Sequence, residues 1–109
     1  MGQFIVRRRL NGDFQFSLKA GNGEIILTSQ GYSTKESCGR GVESVRLNSQ
    51  NDERYERRQA SNGNYFFVLK AANGEIIGTS EMYISQAGME NGITSVKKNA
   101  HDSGIIDHS

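Results

Sequence analysis

A chain of 109 residues has the size of one domain and can bury about two thirds of its unfolded surface. Its 13 Lys and Arg against 12 Asp and Glu leave a formal net charge of +1, so no global field attracts DNA, RNA or anionic lipid, and any such binding rests on a local patch. A single cysteine excludes a disulfide framework, no apolar run approaches the ~18 residues of a membrane span, and Met1-Gly2-Gln3-Phe4 lacks the charged and apolar regions of a signal peptide; the expected compartment is the reducing cytoplasm.

The first predicted element is a strand from Phe4 to Leu10, closed by Asn11-Gly12, a dipeptide that favours tight hairpin turns. Phe14, Phe16, Leu18 and Ala20 then alternate with Gln15, Ser17 and Lys19, a period of two that puts the apolar set on one face of a second strand. After Asn22-Gly23, a third strand from Glu24 to Ser29 completes an antiparallel meander. The period then changes. Cys38, Val42 and Val45 stand at i, i+4 and i+7, one stripe of a helix, with Thr34 suited to the N-cap and Ser33 with Glu36 to a capping box. Gly41 falls inside this pattern, where the helix either kinks or ends in a glycine cap.

The chain then repeats itself. Residues 4–49 align with residues 55–100 without a gap, at 19 identities in 46 positions, and the run from Phe16 to Ser29 matches Phe67 to Ser80 at 11 of 14. Strands from Tyr55 to Ser61 and Glu75 to Ser80, the alternating Tyr65, Phe67, Leu69 and Ala71, the turns Asn62-Gly63 and Asn73-Gly74, and the stripe Met89, Ile93 and Val96 are all second instances, with Ser85 at the N-cap and Gly92 in place of Gly41. Two copies are too few for a solenoid, and a unit of about 46 residues struggles to fold alone, so the copies are expected to share one core. The tail from 101 to 109 follows the second helix as Arg54 to Arg58 follows the first, and Ile105-Ile106 is predicted as a last strand. The expected fold is α+β: two tandem β-β-β-α-β modules in one domain over 1–109, forming one antiparallel sheet with two helices on one face, related by a pseudo-twofold axis, with the strand after each helix crossing to the other copy.

The residues Phe16-x-Leu18-Lys19-Ala20-x-Asn22-Gly23-Glu24-Ile25-Ile26, then Thr28-Ser29, Tyr32, Gly41-Val42 and Ser44-Val45, strongly resemble the YegP-like family of small uncharacterised bacterial proteins, in both copies and over nearly the whole chain. The resemblance implies the fold just described and carries no activity, because the family's module is of unknown function. Gly78 in place of Leu27, and Cys38-Gly39-Arg40 before Gly41, depart from its pattern.

Catalytic chemistry finds little support in the residues. Both histidines, His101 and His108, lie in the tail; with Asp102 and Asp107 they match no metal motif, and a solvated tail is the simpler reading, so neither metal nor cofactor is expected. Cys38 aligns with Met89, which favours apolar packing over a reactive thiol. Glu24 and Glu75 follow Asn-Gly and read as turn-flanking residues; an enzyme would require them to converge in a cleft with Lys19, Lys70, Tyr32 and Tyr83. The arginines 7–9, 54, 57 and 58 read first as guards of a sheet edge.

Function is sought instead on the sheet face opposite the helices. An ideal two-residue turn at Asn62-Gly63 would set Arg57 beside Val68, Tyr55 beside Lys70 and Gln59 beside Phe66; in the first copy it would set Arg8 beside Gln15 and Phe4 beside Lys19. The candidate surface is therefore Arg8, Lys19, Tyr55, Arg57, Phe66, Val68 and Lys70. It suits a protein or peptide partner, with single-stranded nucleic acid as the alternative, on a protein expected to be a monomer because the fused pair already makes its twofold contact.

Overall fold

The structure, a computed structural model, describes residues 2–109; Met1 lies outside them. Four glycines, Gly12, Gly23, Gly63 and Gly74, hold φ between +87° and +91°, whereas no non-glycine residue among those described has positive φ. The asparagines before them therefore lack the positive φ that a two-residue turn of the Asn-Gly type needs at both central positions, and the turn is of another type. Ala60 and Asn64 close a longer loop instead, in which Gly63 N–H donates to the Ala60 carbonyl and Ala60 N–H to Asn64. The asparagine side chain braces it by accepting from the backbone N–H two residues on.

These turns join β1 (Gln3–Arg8), β2 (Phe14–Lys19) and β3 (Ile25–Thr28) into one meander, and β4 (Tyr55–Gln59), β5 (Tyr65–Lys70) and β6 (Ile76–Thr79) into the other. Helix α1 (Lys35–Asn48) follows the first, α2 (Gln86–Ala100) the second, and β7 (Gly104–Asp107) ends the chain. The seven strands form one sheet in the order β4-β5-β6-β3-β2-β1-β7. It is antiparallel except for β7, which runs parallel to β1 in the register Phe4↔Ile105 and Ile5↔Ile106. The strand after each helix thus lies in the other copy's half.

Both helices cover one face. α1 rests on β2 of its own copy and on β5 and β6 of the other, and α2 on β5, β3 and β2, so each lies across the joint between the halves. Beneath them Phe4, Phe16, Leu18, Leu27, Val42, Val45, Phe67, Leu69, Ile93 and Val96 form one buried core. A bulge in β3, where Lys19 pairs with Ile25 but Leu18 with Leu27, lets consecutive residues Ile26 and Leu27 both join it. Cys38 is fully buried there, its thiol pushed up by burial and by the Asp107 carboxylate, which fits packing and opposes reactivity.

The helix caps are Thr34 and Ser85, each accepting from the N–H three residues on. Ser33 and Glu36 do not form the expected box: the cap is Thr34, whose hydroxyl reaches Ser37. Neither helix stops at its glycine. Gly41 and Gly92 lie within continuous helices, and a Cβ on either would strike the hydroxyl and ring of Tyr32 or Tyr83. Those rings stack on Phe16 and Phe67 at centroid distances of 6.2 and 6.4 Å and are pinned by paired backbone hydrogen bonds to Phe14 and Tyr65.

The halves meet through the register pair Thr28↔Thr79, beside which a Cβ on Gly78 would sit 2.6 Å from Leu27 Cδ2. Two leucines at these symmetry-related positions would collide, so the copies have diverged there. Gly78→Leu is expected to lose about 1–3 kcal/mol in urea denaturation, and adding Leu27→Gly to recover more than half of that loss. Gly41→Ala should cost about 1–3 kcal/mol by overpacking, whereas Gly39→Ala, two residues away with open space around it, should stabilise by up to ~1 kcal/mol; no difference between the two variants would remove the tyrosine clamp as the reason for Gly41.

Candidate interaction surface

The observed hairpin register is shifted by one residue from the two-residue-turn expectation. Tyr55 pairs with Leu69, Glu56 with Val68, Arg57 with Phe67 and Arg58 with Phe66; in the first copy Phe4 pairs with Leu18, Arg7 with Gln15 and Arg8 with Phe14. Cross-strand partners share a face, so the shift moves Arg8, Tyr55 and Arg57 to the helix side. Lys19, Phe66, Val68 and Lys70 remain on the open face, joined by Glu56, Arg58, Arg7, Gln15 and Ser17. The apolar pattern held the necessary signal: only this register puts Phe4 and Val6 beside Leu18 and Phe16 on the core side.

The three displaced residues have structural partners. Tyr55 is buried, donates to the Ser49 carbonyl at 2.8 Å and lies edge-on to Phe67, with its hydroxyl pushed above the usual phenol range by burial. Arg57 binds Glu90 at 2.5 Å and Asp52 at 3.1 Å, and Arg8 lies over the Phe14 ring at 4.9 Å. These contacts use the side chains locally.

On the open face the copies differ. At the β4–β5 end, Glu56 takes Lys70 and Arg58, each at 2.5 Å, directly opposite Val68, which is 1% exposed although it lies away from the core beneath the helices. Those cations are neutralised. At the β1–β2 end, no carboxylate among the described residues lies within ion-pair distance of Arg7 or Lys19. A trough of about 570 Å³ lined by Gln3, Lys19, Gly104 and Ile106 lies at one end of these strands, and a cleft of about 550 Å³ lined by Arg7, Arg8, Arg9, Leu10 and Gln15 at the other.

The remaining repeated polar residues are spent on the fold. Ser29 and Ser80 hydroxyls accept from the Phe16 and Phe67 N–H groups and donate to the next carbonyl, replacing ladder bonds where β3 and β6 end. Asn48 and Asn99 are buried and donate back to Ser44 and Ser95. Glu24 and Glu75 are exposed turn residues held by Asn22 and Asn73. Burial raises the Tyr32 and Tyr83 hydroxyls, with smaller contributions from Cys38 and Glu75 for one and Glu81 and Glu24 for the other. The tyrosines stand on the helix side and the lysines on the open face, so the six residues do not converge. In the tail, Asp107 binds Lys35 at 3.0 Å while His101 caps α2; among the described residues no three His, Cys, Asp or Glu side chains gather as a metal site would require.

A family described as "Domain of unknown function (DUF1508)" matches residues 10–56 and 60–107. The chain belongs to that family. It is 48% identical to the UPF0339 protein YegP of Escherichia coli, over 99% of this chain and 98% of the relative, and 48% identical to a UPF0339 protein of Pseudomonas aeruginosa, over 98% and 97%. The solution NMR structure of the E. coli YegP protein of unknown function superposes with a TM-score of 0.94 over 98% of this chain and 92% of that one, and that of a Shewanella oneidensis UPF0339 protein with 0.92 over 97% and 90%. The sequence identities of these two pairs are 48% and 47%. Fold and family are thereby shown, and these relatives carry no assigned function.

The surface carboxylates set an acid dependence. Hydrogen bonds from Lys97 and Arg57 hold Asp52 below the usual range, those from Lys70 and Arg58 do so for Glu56, and Ser109 with Lys35 does so for Asp107. Each group binds its proton more weakly folded than unfolded, so its stabilisation is present above the unfolded values of about 3.9 (Asp) and 4.3 (Glu) and is lost as pH falls towards the folded ones. The urea midpoint should therefore drop steadily below about pH 4, and Glu56→Gln should flatten that slope; an unchanged slope would show that its two ion pairs are fully screened.

Proposed function

We propose that the protein is a non-enzymatic, monomeric binding module of the cytoplasm that takes a protein or peptide partner on its open sheet face. Arg7 and Lys19 carry the reading: they are cations without carboxylate partners on the face that the helices leave uncovered. Between them the Ser17 hydroxyl and the Gln15 side-chain oxygen, whose amide donates to the Ser29 carbonyl, offer hydrogen bonds to an extended segment. An acidic partner fits this charge. Single-stranded nucleic acid is the weaker reading, because among the described residues Phe66 is the one aromatic side chain on the face and successive bases need stacking platforms.

An amide NMR titration of labelled protein with a glutamate-rich decapeptide and, separately, with a single-stranded oligonucleotide tests this at low and physiological salt. Shifts at Arg7, Gln15, Ser17 and Lys19 with the peptide, lost in Arg7→Glu/Lys19→Glu, are expected. Shifts from the oligonucleotide alone, collapsing with salt, would replace the protein partner by nucleic acid; silence from both would remove the open face. A dimer mass in sedimentation would separately end the monomer reading.

A further inference from the structure

The pseudo-twofold axis equates β1 with β4, yet only β1 has a strand on its outer edge. β7 fills that edge in parallel, with Ile105 beside Phe4, Ile106 beside Ile5 and Asp107 beside Val6; His108 N–H donates to the Val6 carbonyl, and Asp107 reaches Lys35. Adding 51 carries Val6 and Lys35, which pair with and bind Asp107, Cys38, which its charge reaches, and the adjoining Arg7, Arg8 and Phe14 onto Arg57, Gln86, Met89, Arg58, Gln59 and Tyr65. Those six residues line a cavity of about 150 Å³. The place that Asp107 occupies in one half is thus an open cavity in the other, beside an Arg57 that holds Asp52 and Glu90.

The backbone beside it is free to pair. Ala60 bonds to Asn64, and antiparallel alternation then turns Arg58 and Glu56 towards β5 and leaves the N–H and C=O of Arg57 and Gln59 facing outward. Among the described residues, β4 has β5 as its only neighbour in the sheet. Its chemistry differs from that of β1: the buried Ile5 and Val6 correspond to Glu56 and Arg57. Charged side chains on an edge strand discourage its pairing with a second copy; on β4 they are paired locally, Glu56 with Arg58 and Lys70 and Arg57 with Asp52 and Glu90.

We propose that the β4 edge is a docking site for an extended segment of a partner protein, added parallel to β4 with an apolar residue beside Tyr55 and, two residues later, an acidic residue beside Arg57. β7 is the internal template for direction, register and acid, and the site is independent of the open face.

The test adds the acetylated heptapeptide Ser-Gly-Ile-Ile-Asp-His-Ser, the sequence of residues 103–109, to labelled full-length protein. Expected are amide shifts at Tyr55, Arg57, Gln59 and Gln86, slowed hydrogen exchange at Arg57 and Gln59, and about tenfold weaker binding when the peptide's Asp is replaced by Asn. No shifts on β4 up to the peptide's solubility limit would overturn the proposal. So would shifts confined to β1 and β7, which mark exchange with the chain's own last strand, equal binding of the Asn peptide, or protection of the Arg57 amide in a dimer without peptide.

Discussion

Leu27 lies where β3 and β6 share a single register pair, and the space it fills is the one left by Gly78. So narrow a backbone joint cannot hold the halves together, and the work falls on the helices laid across it and on the side chains below them. Each meander offers a three-stranded apolar face too small to stand alone. Neither helix can leave without uncovering both halves, which makes the two copies one cooperative unit. Positions near the axis are where identical copies cannot pack identically, and divergence concentrates there for a steric reason.

The same logic explains the repeated residues. A tyrosine, a serine and a glycine recur at matching places because they form one device: the serine replaces ladder bonds where its strand stops, the chain turns back to pin the tyrosine, and the helix passes close enough over the ring that only glycine fits. Repetition here records architecture. The groups that differ between copies, such as Ile5 against Glu56 and Val6 against Arg57, show where the halves meet different surroundings.

Element order, the shared core, the helix caps at Thr34 and Ser85 and the crossing of the last strand were legible from periodicity and the duplication. The face assignment of Arg8, Tyr55 and Arg57 was not, because Asn-Gly serves two turn geometries that differ by one residue in register, and one residue inverts every side chain. The parallel sense of β7 was also beyond reach, since an isolated Ile-Ile run carries no direction. Nor could the sequence show that Lys70 is neutralised and Lys19 is not: the distinction depends on Glu56, whose counterpart in the first copy is Ile5.

The parallel pairing of β1 and β7 has a mechanical side. Tension applied at the N-terminal side of β1 and the C-terminal side of β7 pulls two parallel neighbours past each other, loading their hydrogen bonds together in shear. An antiparallel closing strand, pulled the same way, would peel open one bond at a time. A four-residue strand thus latches the first half against stretching along the chain, while β4 at the opposite rim has no such latch.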